Sequence, residues 1–223
     1  MKKKAFVVCH MMASVDGRID CDMTEQIGSD GYYKALAALN VDTTVEGKVT
    51  ALKHYAEKQP FVAENKAPIG KEDVFKACDG TGWEVVADTH GTLLWPDSDT
   101  PSRVCLVSED APKEYLDYLR GCGTSYIATG KGGIDLARAV EILADVFGSK
   151  RIGVVGGGHI NGGFLRAGLL DEVSVVIGAA IDGREGFASV FDGIEASHTT
   201  PFKLHLMSVE QMSDDSVWLR YNL

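Results

Sequence analysis

The stretch Arg151-Ile-Gly-Val-Val-Gly-Gly-Gly-His-Ile-Asn-Gly-Gly-Phe-Leu-Arg-Ala-Gly-Leu-Leu-Asp-Glu-Val-Ser-Val-Val-Ile177 decides the fold. Ile152 to Val155 is a short apolar run rich in β-branched residues and reads as a buried strand. Gly156, Gly157 and Gly158 follow at once. Ile160, Phe164, Leu165 and Ala167 then recur at helical spacing, and Gly168 stands where a glycine closes a helix. Val173 to Ile177 is a second buried strand. Strand, glycine turn, short helix and strand follow one another within 27 residues. Backbone without a Cβ approaches a ligand closely, and a helix N-terminus favours negative charge. The functional reading is a seat for a cofactor pyrophosphate; the plain reading is a tight turn.

Two familiar nucleotide motifs are excluded. A dinucleotide fingerprint G-x-G-x-x-G counted from Gly156 needs glycine at 161, where Asn161 stands, and no acidic residue ends the next strand. A P-loop needs Ser or Thr directly after Gly-Lys. Gly47-Lys48 is followed by Val49, and Gly130-Lys131 by Gly132.

Outward from this stretch, strands and helices alternate. Ala5 to Cys9, Val41 to Val45, Arg103 to Val107 and Thr124 to Ala128 read as strands. Helices are expected from Ser29 to about Leu39, from Lys48 to roughly Lys58, from Pro112 to about Arg120, and after an Asp135 cap. The last has Leu136, Ala139, Val140, Leu143 and Phe147 as its apolar face. Trp83 to Ala87 and Thr92 to Trp95, around Asp88-Thr-His-Gly91, read as a β-hairpin. Phe202 to Met207 and Ser216 to Tyr221 read as closing antiparallel strands. The pattern predicts an α/β chain of three αβα layers, with a mixed, mostly parallel sheet and a C-terminal antiparallel hairpin. Residues 1–223 contain no linker or repeat and are expected to form one domain.

The net charge of −10 argues against a general nucleic-acid binder. Five cysteines, an odd count without C-x-x-C, argue for buried thiols in a reducing compartment and against a zinc or disulfide framework. Met1-Lys-Lys-Lys precedes an apolar run too short for a signal segment, and no window has the length of a membrane span. A cytoplasmic protein with no metal is the expectation.

Ligands of open α/β sheets bind outside the carboxyl ends of strands. Three such ends carry chemistry: Glu46-Gly-Lys-Val-Thr50, Val107-Ser-Glu109 and the three glycines. On these residues the chain resembles the dihydrofolate-reductase fold, whose G-R-x-T is similar to Gly47-Lys-Val-Thr50. It more closely resembles the reductases of riboflavin biosynthesis, including the reductase half of bifunctional deaminase–reductases. Ala13-Ser-Val-Asp-Gly-Arg-Ile19 is similar to their S-x-D-G-[KR]-I. Gly156 to Glu172 is similar to their glycine turn followed by L-x-x-G-L-[VIL]-D-E. Two departures stand out: Lys48 replaces the usual arginine, and Val155 stands where these reductases often carry Glu. No deaminase motif is present.

The resemblance implies NADPH, a homodimer and hydride transfer to a ribosylaminopyrimidine phosphate. By position, Gly47, Lys48, Thr50 and Ser108 would serve the adenosine end of the cofactor. Gly156, Gly157 and Gly158, with His159 after them, would hold the pyrophosphate, through a strained Gly156–Gly157 peptide of which cis is one form. Ser14 and Asp16 would face substrate and nicotinamide as the catalytic pair, with Asp16 also able to be a plain turn former. Arg18 and Arg184 suit a substrate phosphate; solvated surface arginine is the alternative for each. His10 and His159 read as orienting or packing residues, and Asp171-Glu172 as a strand start. Asp30 stands where folate reductases keep a buried carboxylate, yet Ser29-Asp30 is also an ordinary helix start. A folate reductase is the second reading, without that enzyme's tryptophan before the helix. A non-catalytic nucleotide-binding dimer is the third.

Overall fold

The structure is a computed structural model describing residues 5–19, 21–28, 30–96, 100 and 102–223. In chain order it contains β1 (Phe6–Ala13), α1 (Cys21–Ile27), α2 (Asp30–Ala38), β2 (Thr43–Gly47), α3 (Lys48–His54), β3 (Asp73–Phe75), β4 (Trp83–Ala87) and β5 (Arg103–Val107). There follow α4 (Lys113–Gly121), β6 (Ser125–Ala128), α5 (Leu136–Asp145), β7 (Arg151–Gly156), α6 (Gly158–Arg166), β8 (Glu172–Ile177), β9 (His205–Gln211) and β10 (Val217–Asn222). The chain divides into two compact units. A middle unit is built mainly of Asp42–Lys150, and a terminal unit of Phe6–Val41 and Arg151–Leu223.

In the middle unit the strands run in the order β3-β6-β5-β4-β2. The pairs β2/β4, β4/β5 and β5/β6 are parallel, and β3 closes the edge antiparallel to β6. All of β5 is buried, as a central parallel strand covered on both faces must be. Asp135 Oδ1 accepts the Arg138 amide at 2.9 Å and caps α5, which buries Ala139, Val140 and Leu143. Helix α4 starts after Pro112 and buries Tyr115, Leu116 and Leu119. The expected hairpin does not form. Val85 and Val86 are both buried, and β4 pairs in parallel with β2 and β5. The buried Asp88 carboxylate takes the amides of Thr92 (2.6 Å) and Leu93 (2.7 Å) and turns the chain away from the strand. Helix α3 stops at His54, earlier than expected, because Tyr55 leaves helical geometry (φ −154°) and turns its hydroxyl to Glu46.

In the terminal unit the order is β7-β1-β8-β10-β9. The first three are parallel, and β10 and β9 are antiparallel. All of β1 except its first residue is buried. Ala35 and Leu39, on and just after α2, pack with Val8, Met12, Val176 and Trp218. The expected Ser29 cap lies outside the described residues. Helix α1 was not foreseen. Gly168 follows the α6 C-cap with φ +64°, as its place in the sequence implied. Every residue of β9 is exposed. The fold is thus α/β with mixed, mostly parallel strand pairing and a C-terminal antiparallel hairpin. No helix among the described residues is long and apolar enough to cross a membrane.

Candidate active site

The residues singled out in the sequence fall into two sets, one in each unit. In the terminal unit β7 delivers the chain into the glycine turn. The Gly156–Gly157 peptide is cis, and Gly157 is the N-cap of α6. The three glycines have different reasons to be glycine. Gly156 has φ +109°, and a Cβ there would lie 2.9 Å from Met11 Sδ. A Cβ on Gly158 would lie 2.4 Å from the Ser189 carbonyl oxygen and 2.6 Å from Asp192 Oδ2. Backbone conformation therefore requires glycine at 156, and packing against the Ser189 backbone requires it at 158. Gly157 is not: its φ is −79°, and its nearest neighbour would be Ile19 Cδ1 at 3.9 Å. The space that a side chain would fill here is left open at the start of a helix. Ile160 and Asn161 already donate to the Gly157 carbonyl, so the amides ahead of them, of Gly158 and His159, are the donors left for a phosphate.

The far side of α6 is held by residues the motif reading passed over. Asn161, fully buried, donates from Nδ2 to the Val190 carbonyl at 2.7 Å. The Asp192 amide donates to the Gly158 carbonyl at 3.0 Å, and Asp192 accepts the Ser189 amide and hydroxyl. A Cβ on Gly162 would lie 1.9 Å from the Asp192 carbonyl oxygen. Asn161 was visible as the residue standing where a fingerprint glycine would be; Asp192 carried no local signal. His159 is exposed beside Gly193.

Ser14 and Asp16 occupy the turn after β1. The buried Ser14 hydroxyl donates to Asp16 Oδ1 at 2.6 Å and accepts the Arg18 amide at 3.0 Å. Asp16 also accepts the amides of Asp182 and Gly183, each at 2.9 Å. The Ser14 hydroxyl first, then these two amides, hold the Asp16 carboxyl well below the usual carboxylate range. Arg18 donates to the Phe187 carbonyl at 2.6 Å. Arg184 is paired with Asp182 through Nε (2.5 Å) and Nη2 (2.7 Å), and its guanidinium lies 3.8 Å over the Phe187 ring. The structure thus brings Ser14, Asp16, Arg18 and Arg184 to one segment, Ala180–Ser189. Val155, half-buried, offers no polar group here.

In the middle unit Gly47 caps α3 with extended backbone and no side-chain cap. Lys48 Nζ donates to Thr92 Oγ1, which itself donates to Asp88 Oδ1 at 3.1 Å. The buried Ser108 hydroxyl donates to the Thr89 carbonyl at 2.8 Å. Lys48 and Ser108 thus meet the same Asp88–Thr92 turn, while Thr50 stays half-buried on α3. Beside them Glu46 accepts the Tyr55 hydroxyl. Burial, then the charge of Glu84, outweigh the nearby Arg103 and push the Glu46 carboxyl up to about 7.

Comparison with known proteins places this geometry. Residues 5–218 match the family described as the RibD C-terminal domain. A pyrimidine reductase-like protein from Corynebacterium diphtheriae shares the fold with a TM-score of 0.73 at 17% identity, over 99% of this chain and 92% of that one. RibD from Acinetobacter baumannii gives 0.69 at 15% identity, over 99% and 58%. A diaminohydroxyphosphoribosylaminopyrimidine deaminase/5-amino-6-(5-phosphoribosylamino)uracil reductase from Thermotoga maritima gives 0.65 at 17%, over 99% and 57%. This chain spans a little over half the length of the last two. At these identities the likeness is one of fold. The match to the family, covering nearly the whole chain, carries the assignment: the protein belongs to the RibD C-terminal domain family.

Proposed function

We propose that this protein is an NADPH-dependent reductase acting on a phosphorylated ribosylaminopyrimidine of the riboflavin pathway. The single observation that carries the reading is Gly157. It is a glycine that neither backbone geometry nor packing requires, set at the N-terminus of α6 with open space in place of its side chain. That vacancy fits a phosphate of the cofactor. Bound there, NADPH would supply a hydride for the ribose C1′ of the ring-opened imine, with a proton going to the imine nitrogen.

This chain's own residues bind and orient. Gly157 and the first amides of α6 receive the pyrophosphate. In the middle unit Lys48 supplies a positive charge for a 2′-phosphate, with Thr50 and Ser108 beside it. Ser14, Asp16, Arg18 and Arg184 belong to the substrate side. The unit of action is a homodimer, a reading supported by β9, on which Leu206, Met207 and Val209 are exposed. Cys9 and Cys105, buried thiols outside any disulfide, suit a reducing cytoplasm.

The test is a turnover screen of the purified protein with NADPH. Substrates are 5-amino-6-(5-phosphoribosylamino)uracil, dihydrofolate and small carbonyl or imine compounds. NADPH oxidation with the first alone is expected. Turnover of dihydrofolate alone makes the protein a folate reductase, and tight NADPH binding with no turnover makes it a non-catalytic binder.

A further inference from the structure

From the bonds around one carboxylate we infer that Asp16 is a positioning residue, which fixes the Asp182–Phe187 turn and through it the bearing of Arg184 on the anionic end of the substrate. The inference rests on the function proposed above and narrows it, because it removes Asp16 from the candidates for proton donor.

Three donors converge on the carboxylate: the Ser14 hydroxyl at 2.6 Å and the amides of Asp182 and Gly183 at 2.9 Å each. An ionised carboxylate is an acceptor only, and this one is met by donors alone. Oδ1 takes two of these donors and Oδ2 the third, and a proton on the group would weaken all three bonds. The Ser14 hydroxyl is equally committed, since its oxygen also accepts the Arg18 amide. The same contacts keep Asp16 ionised far below neutral pH. A carboxyl so held has no proton to give at working pH, and it is a weak base.

What the carboxylate does is fasten a turn. Its two amide donors belong to consecutive residues, Asp182 and Gly183, and Gly183 has φ +70°. The Asp182 side chain, 1% exposed, then grips Arg184 through two guanidinium nitrogens. The guanidinium lies 3.8 Å over the ring of Phe187, whose carbonyl Arg18 holds in turn. The order of dependence runs from Asp16 to the turn amides, to Asp182, to Arg184. A planar guanidinium fixed in this way is suited to a phosphate or carboxylate.

The experiment is steady-state kinetics of Asp16→Asn with NADPH, the phosphorylated pyrimidine and its dephosphorylated form. The expected result is a KM for the phosphorylated substrate raised about tenfold, with kcat within about threefold and an unchanged pH profile of kcat. KM for NADPH and for the dephosphorylated form should not move. In an Arg184→Ala background the effect of Asp16→Asn on KM should shrink, because the two act in series. Ser14→Ala, which removes one donor of three, should give the same pattern more weakly and serves if Asp16→Asn does not fold. Hydrogen exchange at the Asp182 and Gly183 amides should accelerate in either variant. A kcat fall of a hundredfold or more, with loss of one limb of the pH profile, would make Asp16 the acid or base and overturn the inference. Unchanged KM, or a KM effect that persists in full without Arg184, overturns it as well. Wild-type protein that does not oxidise NADPH with this substrate defeats the proposed function itself, a different outcome from wild-type turnover with a collapsed Asp16→Asn.

Discussion

Arg220 holds Glu172 by a two-pronged ion pair, Nε to Oε1 at 2.6 Å and Nη2 to Oε2 at 3.1 Å, at the first residue of β8. Arg151 adds a third contact at 3.2 Å from the first residue of β7, so a carboxylate with 1% exposure is shared by two arginines. These bonds tie the start of the parallel strands to the C-terminal hairpin. Glu172→Gln would remove the buried charge that both arginines contact. It should cost about 2–4 kcal/mol, toward the lower end for breaking a buried pair because the arginines keep some solvent. A urea melt should show a lower midpoint with unchanged slope; an unmoved midpoint would rule the clamp out as a source of stability.

His10 is expected to make the protein acid-sensitive. Its ring is buried, stacked on Tyr32 at 4.6 Å, and bonded to the Tyr32 carbonyl and the Ser174 hydroxyl. Because a carbonyl only accepts, Nε2 carries the proton. Nδ1 then accepts from Ser174, whose oxygen takes the Trp218 indole N–H at 2.8 Å. Burial lowers the His10 pKa to about 4 from 6.5, against the Tyr32 carbonyl and the charge of Glu172, which raise it. Between those values the unfolded chain binds the proton and the folded chain does not. The contribution is therefore complete above pH 6.5 and is lost as pH falls through 4, amounting to about 3 kcal/mol. Stability measured from pH 7 to pH 4 should fall less steeply in His10→Gln than in wild type. Parallel curves would show that His10 is not the group responsible.

The glycine turn separates stability from binding at adjacent positions. Gly158→Ala puts a Cβ against the Ser189 carbonyl and should destabilise by about 1–3 kcal/mol. Gly157→Ala meets nothing closer than ordinary contact and should melt like wild type, yet bind NADPH at least tenfold more weakly. Paired melting curves and titrations decide it. Native affinity in Gly157→Ala would reduce the turn to a structural feature.

Cofactor choice is expected to depend on Lys48, whose ammonium is held at Thr92. NADPH should bind better than NADH. Lys48→Ala should lose about 1.5–3 kcal/mol of that preference, the worth of a charge-assisted phosphate contact. Calorimetry giving equal affinities for the two cofactors in the wild type would reject it.

Assembly is expected through the C-terminal hairpin. Strand β9 is at the sheet edge with every residue exposed, an arrangement open to pairing with another copy. Light scattering should report twice the chain mass, and Val209→Arg should shift the protein toward monomer. A monomeric wild type would sink this reading.

Local chemistry by itself determined much of this protein. The β-branched run before three glycines, the Asp135 cap, Pro112 at a helix start and Gly168 at a helix end each act within a few residues, so spacing alone locates β7, α6, α5 and α4. The same locality exposed the glycine turn as a candidate site, whereas Ser14 and Asp16 entered through the family resemblance. Tertiary structure decided what needed partners distant in the chain. Strand β4 pairs with neighbours on both sides and not with the residues that follow it, because the buried Asp88 takes their amides. Gly158 and Gly162 are glycines because the Ser189–Asp192 backbone lies against them, which leaves Gly157 as the position open to a ligand. The role of Asp16 depends on two amides some 166 residues further along the chain. A sequence specifies which side chain occurs at a position, but the donors that meet it, and hence its charge and chemistry, are fixed only when the chain closes around it.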